Sequence, residues 1–160
     1  MANRDFLNWF AGFLAGEGCF TACKYSYVGR FEHITPMLVI QLRADDCDVL
    51  REIQRELGMG RLYVRQSPYD KLRNNHPVAR WELTRLAHCQ LLIGLLRDIP
   101  LRGKKEADFR IWAELVDARV AHRGRGVQLE LAKRLSGVKE YEAREEEVSK
   151  VEGRQLRLVV

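Results

Sequence analysis

The stretch "FLNWFAGFLAG" (Phe6 to Gly16) has no proline and no charged residue. Its spacing predicts a helix buried on more than one side, with Asn3 or Asp5 as its cap. After Gly18 the pattern changes to alternation. "CFTACKYSYV" is rich in β-formers and predicts a strand. "GRFE" (Gly29 to Glu32) is a turn, and "HITPMLVIQLR" is a second strand closing a hairpin. Pro36 in that strand points to a bend or an edge, because it lacks a ladder donor. From Asp46 to Leu57, the residues Val49, Leu50, Ile53 and Leu57 share one helical face, with Asp45 or Asp46 to cap it and Gly58 to end it. "GRLYVRQ" and "VARWELTR" form a second hairpin around the polar loop "SPYDKLRNNHP". Two helices follow, Leu86 to Leu96 and Gly103 to His122, the second burying Phe109, Trp112, Leu115, Val116 and Val120. "RGRG" (Arg123 to Gly126) breaks the pattern, and helical spacing then runs on to Lys150. "RQLRLVV" reads as a frayed tail or a short strand. This order predicts an α+β domain with one antiparallel sheet and its helices on one face. Residues 1–122 form the core and 123–160 a helical extension packed on or near it.

Side chains two apart on a strand share a face. In the first hairpin one face collects Thr21, Cys23, Tyr25 and Tyr27 with His33, Thr35, Met37, Val39 and Gln41. In the second, Leu62, Val64, Ala79, Trp81 and Leu83 are apolar and belong to the core. The opposite set carries Arg61, Tyr63, Arg65, Arg80, Glu82 and Thr84. That face is either simply solvated or a β-ribbon for the DNA major groove, which admits two strands. In the second case arginine grips guanine and glutamate accepts from cytosine. Lys24, Arg30, Lys71 and Arg73, at strand edges and loops, suit phosphates.

Composition narrows the setting. The 160 residues are 46% hydrophobic and 31% charged, enough for a core and a solvated surface. No apolar run reaches membrane-spanning length, and "MANRDFLNWF" lacks the features of a signal peptide. A soluble intracellular protein is expected, in a prokaryotic cytoplasm or inside an organelle. The formal net charge of +5 and the pI of about 9.2 lean mildly towards a polyanionic partner. The four cysteines form no C-x-x-C pair, and His88 beside Cys89 has no partner at a zinc-ligand spacing. Small buried or groove-facing thiols are expected rather than a metal site.

Glu17 is the chemically conspicuous residue. A helix C-terminus carries partial negative charge, and its last carbonyls lack intrahelical partners. A divalent cation resolves both difficulties, taking one oxygen from Glu17 and another from a carbonyl at or near Gly16. Oxygen ligands, waters and phosphates are what Mg²⁺ prefers. Gly18 suits a left-handed turn into the strand. Ala11, Gly12, Ala15 and Gly16 give one small-residue helix face, fit for close packing within the chain or against a second helix.

"FAGFLAGEG" (Phe10 to Gly18) resembles the signature of the LAGLIDADG homing endonucleases. Ala11, Gly12, Gly16 and Gly18 fit that motif, Glu17 falls on its active-site acid, and Ala15 stands where the motif name has Asp. The order of elements, from about Phe6 to about Val120, also matches the family's αββαββα core with its saddle-shaped sheet. The resemblance implies a homodimer whose motif helices meet through Phe10, Ala11, Gly12, Phe13, Ala15 and Gly16. It implies a long, pseudo-palindromic double-stranded DNA target, cut on both strands with Mg²⁺ to leave short 3′ overhangs. Ca²⁺ and Mn²⁺ stand as substitutes for binding or activity. In "RGKK", Lys104 best matches the family's basic residue near the site, with Lys105 next. Gln41 ends its strand as a groove-facing candidate for catalysis. The closest match to the family's water-orienting position is Ala44, which cannot fill that role; Arg43 or Asp45 stand nearby. An RNA maturase, or a DNA binder that has lost cleavage, are the alternatives on the same fold.

Overall fold

A computed structural model describes residues 3–27, 31–66, 76–135 and 139–142. Helix α1 (Arg4–Glu17) starts at Asn3, whose Oδ1 accepts the Phe6 N–H at 2.8 Å. It runs directly into strand β1 (Gly18–Tyr27), which pairs with β2 (Phe31–Arg43). A 3₁₀ turn (Ala44–Asp46) leads into helix α2 (Cys47–Leu57), which ends on Gly58 at φ 63°. The second hairpin is β3 (Arg61–Arg65) and β4 (Val78–Leu83). Helices α3 (Leu86–Leu96), α4 (Lys104–Val120) and α5 (Arg125–Arg134) follow, then a short strand β5 (Lys139–Glu142). The expected α+β order is met, with the register running unbroken along the first hairpin.

The strand order is β3-β4-β2-β1-β5. All neighbours are antiparallel except β5, which lies parallel to β1. Residues 139–142 therefore depart from the helical spacing that predicted a helix through Lys150. The outer edge of β1 offers unpaired backbone groups there, and an extended segment satisfies them. The rest of that expected helix and the "RQLRLVV" tail lie outside the described residues. Pro36 pairs with Ala22 of β1, while β4 reaches along β2 only from Arg43 to Leu38. So β2 has one ladder neighbour at Pro36, which accommodates the missing N–H.

One face of the sheet meets the helices in a single core. Phe10, Trp81, Phe20 and Trp112 are among its fully buried side chains. Phe10 meets Trp81 edge-on at 6.4 Å between centroids, and Phe20 lies 5.4 Å from both Phe109 and Trp112. Leu131, Ala132 and Leu135 from the α5 region join the same cluster. Two apolar residues expected in the core are outside it. Val64 is 53% exposed at the end of edge strand β3, and Val120 is 40% exposed at the end of α4, where Ala118 faces inward instead. Neither Asp45 nor Asp46 caps α2. Asp46 stands at the cap position without a side-chain bond, and Asp45 is held by Arg43. The four cysteines are free thiols, and burial pushes Cys89 up to about 12. No helix among the described residues is long and apolar enough to cross a membrane.

Gly60 fixes the approach of β3 to the core. Its φ is +86°, and a Cβ there would overlap the Trp81 ring. That ring is pinned in turn, its Nε1–H donating to the Met59 carbonyl at 3.2 Å, while Gln54 Nε2 donates to the Gly60 carbonyl at 3.1 Å. Gly58 also has positive φ, yet a Cβ there meets nothing within 4 Å. Gly60→Ala is therefore expected to cost about 2–4 kcal/mol, combining strain with overpacking. Gly58→Ala is expected to cost only about 1 kcal/mol, from backbone strain alone. Urea unfolding of the two variants checks the difference; equal costs would show that the Trp81 ring yields freely.

Candidate active site

Helix α1 passes into β1 with no intervening residue. Its Leu7, Phe10, Ala11 and Leu14 are buried, so the core fixes the helix and leaves its last turn projecting. Gly16 and Glu17 are exposed there. Gly18 is not left-handed, as the sequence suggested; it is extended, at φ −71° and ψ 140°. Glycine is needed for another reason. A Cβ at residue 18 would stand 2.7 Å from the Leu14 carbonyl oxygen, part of the backbone of the preceding turn. The Gly18 N–H donates to that same carbonyl.

Glu17 opens onto a cleft of about 190 Å³ on the sheet face away from the helices. Cys19, Thr21, Met37, Val39, Gln41 and Arg80 line the rest of it. Pairing explains the grouping, since Cys19 opposes Val39, Thr21 opposes Met37, and Gln41 opposes Arg80. Directly opposed residues project to the same face. Val39 was expected on this face; Cys19 was not named there, although strand parity places it on the same side as Thr21. Thr21, Cys23 and Met37 are only 3–5% exposed, so they form the floor of the face rather than reaching out for bases. Met37 is overlain by Arg80, whose Nη2–H points at Sδ from 3.8 Å, and Cys23 Sγ lies 4.0 Å from the same sulfur.

Further along the face, β3 supplies Arg61, Tyr63 and Arg65 opposite Glu82, Arg80 and Val78 of β4. Arg80 Nε–H donates to Glu82 Oε2 at 3.2 Å, and the Tyr63 hydroxyl donates to the same oxygen at 3.0 Å. Desolvation, helped by that carboxylate, raises the Tyr63 hydroxyl above its usual range. The Arg61 guanidinium carbon lies 5.5 Å from the Tyr63 ring centroid, a cation–π distance. Thr35 is half-buried beside Cys23. Lys24 is a correction. It opposes Ile34 and shares the helix-side face with Phe20 and Ala22, because β1 alternates strictly through it. Backbone pairing sets Tyr25 against His33 and Tyr27 against Phe31. The side chains of Tyr25, Tyr27 and His33 lie outside the described residues, as do Arg30, Lys71 and Arg73 altogether.

The other expected residues divide. Lys104 is exposed and Lys105 half-buried in the first turn of α4. Neither lines the Glu17 cleft, but the early turns of α4 lie over the start of β1 through Phe109 and Trp112 on Phe20. Ala44 has its N–H bound to the Pro77 carbonyl at 2.9 Å. Arg43 and Asp45 grip each other by two bonds, at 3.0 and 2.7 Å. That pairing holds the Asp45 carboxyl below and the Arg43 guanidinium above its usual range.

Helix α1 presents a second stripe. Trp9 is 43% exposed, Gly12 and Gly16 are exposed, and Phe13 is half-buried, its ring stacked on Trp9 at 5.2 Å. The set 9, 12, 13, 16 repeats the spacing of the core set 7, 10, 11, 14, turned by about 200° around the helix. Phe10 and Ala11 are thus corrections to the expected dimer face: they are 0% and 3% exposed within the chain itself. Trp9 belongs to the outer stripe, and its i, i+3, i+4, i+7 relation to two glycines was the available signal.

The donors at Glu17 suit a hard divalent cation. They are an exposed carboxylate and the carbonyls of a helix end that has no basic side chain in its last turn. Among the described residues, no three His, Cys, Asp or Glu side chains gather. One chain therefore offers part of a coordination shell, to be completed by waters, phosphate oxygens or a second carboxylate.

Comparison with known proteins agrees with this geometry. No curated protein sequence matches the chain. Solved structures do. The homing endonuclease I-TnaI matches at a TM-score of 0.68 with 17% identity, over 96% of this chain and 99% of that one. The LAGLIDADG homing endonuclease I-LtrWI, bound to target DNA, matches at 0.68 with 20% identity over 80% of this chain. The LAGLIDADG meganuclease I-CpaMI, bound to uncleaved DNA, matches at 0.65 with 19% identity over 78% of this chain. This chain covers less than half of those two DNA-bound proteins, 43% and 41% respectively. The family model described as LAGLIDADG endonuclease matches residues 10–116, from Phe10 in the first helix to Val116 in α4. With its acid at the end of the motif helix and its open sheet face beside it, the chain belongs to the LAGLIDADG endonuclease family.

Proposed function

We propose that the chain acts as a homodimeric, divalent-metal-dependent endonuclease that cuts both strands of a long, pseudo-palindromic DNA target and leaves short 3′ overhangs. The observation that carries this is Glu17, exposed at a helix end that opens onto a face bearing Gln41, Arg80, Glu82, Tyr63, Arg61 and Arg65. The carboxylate and the strands that read DNA are thus one continuous surface. The fold is also shared by solved proteins bound to DNA.

Roles follow from position. Glu17, with the carbonyl of Gly16, would hold Mg²⁺; Ca²⁺ or Mn²⁺ would substitute through the same oxygens. The ion, when bound, supplies Lewis acidity to the scissile phosphate and a more acidic water. Gln41 is an exposed polar side chain on the cleft wall able to orient that water; Ala44 cannot, and neither Arg43 nor Asp45 lines the cleft. Lys104, with Lys105 next, lies outside the cleft lining, and its role of adding positive charge for the phosphate is what the family resemblance implies. Arg61 and Arg65 meet bases or phosphates along the groove.

The two-fold arrangement is supported by the outer stripe of α1. Two such helices crossing at Gly12 and Gly16 would bring two Glu17 carboxylates together, where like charges need cations between them. The exposed Trp9 and the half-buried Phe13 would be covered in the same contact.

Two expected outcomes test this reading. Glu17→Gln should lower cleavage by roughly 10²-fold or more while binding of the same DNA persists, because a metal ligand is lost and no contact to the bases. Cleavage assays beside gel-shift titrations check it; undiminished cutting would remove Glu17 from the site. Gly12→Leu should convert a dimer to a monomer and abolish double-strand cutting. Within one chain a Cβ at Gly12 meets nothing within 4 Å, and leucine favours the helix over glycine by about 1 kcal/mol. Sedimentation would then show half the wild-type mass with helix content retained. A variant that remains dimeric would place the interface elsewhere.

A further inference from the structure

The residues Tyr63, Glu82 and Arg80 form one connected network on the open face. Glu82 and Arg80 lie two apart on β4 and share a face, and Tyr63 is the cross-strand neighbour of Arg80. One carboxylate oxygen, Glu82 Oε2, accepts from both the Tyr63 hydroxyl and Arg80 Nε. The side chains of Arg80 and Glu82 are only 15% and 17% exposed. Two donors converge on Oε2, so that oxygen is taken up by neighbours within the sheet and has little capacity left for a cytosine amino group, the role suggested by sequence. Arg80 is as covered as Glu82 but keeps donors to spare. A guanidinium has five N–H donors, and among the described residues Nε is the one that donates to oxygen. Its Nη2 rests against the Met37 sulfur, a weak acceptor, and the side chain lines the cleft with Glu17 and Gln41. Guanine is the base that offers two acceptors, O6 and N7, to such a fork.

Resting on the function proposed above, we propose that Glu82, supported by Tyr63, is a positioning residue that holds Arg80 for recognition of a guanine near the cleavage centre. Glu82 itself contacts no base. The Tyr63 hydroxyl stays protonated, and so remains a donor, throughout the neutral range, because its titration is displaced upward.

The test is selection of bound sites from a randomised double-stranded DNA pool by the full chain and its variants. Arg80→Ala is expected to lower guanine preference at one position of each half-site by about ten- to a hundredfold. Glu82→Ala should lower the preference at that same position, and the double variant should match Arg80→Ala alone, because removing the reader leaves nothing to position. Glu82→Gln, which keeps an acceptor oxygen, should retain more of the preference than Glu82→Ala. Should Glu82→Ala fail to fold, Tyr63→Phe removes one hydroxyl and should weaken the same position alone. A loss of cytosine preference at a different position on changing Glu82, adding to the Arg80 effect, would make Glu82 a reader and overturn the inference. Uniform weakening across all sequences on changing Arg80 would make it a phosphate contact and overturn the inference equally. A wild-type chain that selects no DNA at all would sink the proposed function, and this inference with it.

Discussion

The direct passage from α1 into β1 is the constraint on which the rest of the molecule depends. No loop residue separates Glu17 from Gly18, and the Gly18 backbone lies so close to the Leu14 carbonyl that no side chain fits. The acid is therefore placed by the core, not by a mobile connection. Phe10, one side of the same helix, packs edge-on against Trp81 of β4. Trp81 sits between Arg80 and Glu82 in sequence, and alternation sends those two to the opposite face. A single aromatic contact thus couples the helix that carries the carboxylate to the strand that carries the ion pair. Groups held on packed helices and strands keep closer geometry than groups on loops, which in-line phosphate chemistry demands.

The second constraint is that α1 is apolar on two nearly opposite sides. One stripe is consumed by the core; the other, with Trp9, Phe13 and two glycines, is left facing out. An exposed tryptophan and a half-buried phenylalanine beside open glycines make a surface that is costly for an isolated chain and apt for a close helix contact. This is why the carboxylate looks misplaced in one chain. A helix C-terminus disfavours an anion, but a site shared across two such ends would gather oxygen ligands for cations.

Strand parity was legible in the sequence because the two hairpins carry no bulge. It correctly separated core from open face for nearly every described position, and it also placed Lys24 on the core side, where its charge alone had suggested a phosphate contact. The outer stripe of α1 was half legible. Small-residue spacing marks a face for close approach, but whether Phe10 or Trp9 flanks it depends on which stripe the sheet takes, and that is a tertiary outcome. The need for glycine at position 18 was legible and its cause was not, since the crowding comes from a carbonyl four residues earlier. The bond from the Tyr63 hydroxyl to Glu82 depends on the register of β3 on β4, strands that residues 66–77 separate in sequence. Sequence spacing does not determine it. The burial of Thr21, Cys23 and Met37 likewise depends on what folds over them, as Arg80 does over Met37.

Two arginine–carboxylate pairs stand on or beside this face, and they differ in kind. Arg43 and Asp45 are 56% and 61% exposed, bonded through two nitrogens at the end of β2. Water and salt screen such a pair, so its net contribution to stability is small. It can open to a phosphate at little cost. Arg80 and Glu82 are mostly covered, and separating them would strand a charge in a poorly solvated place. The first kind of charge suits salt-dependent attraction to a phosphate backbone, which carries no sequence information. The second suits discrimination, because a donor that cannot swing away penalises a base that offers it no acceptor. On the function proposed, affinity and specificity would rest on different residues of this surface, separated by exposure rather than by charge.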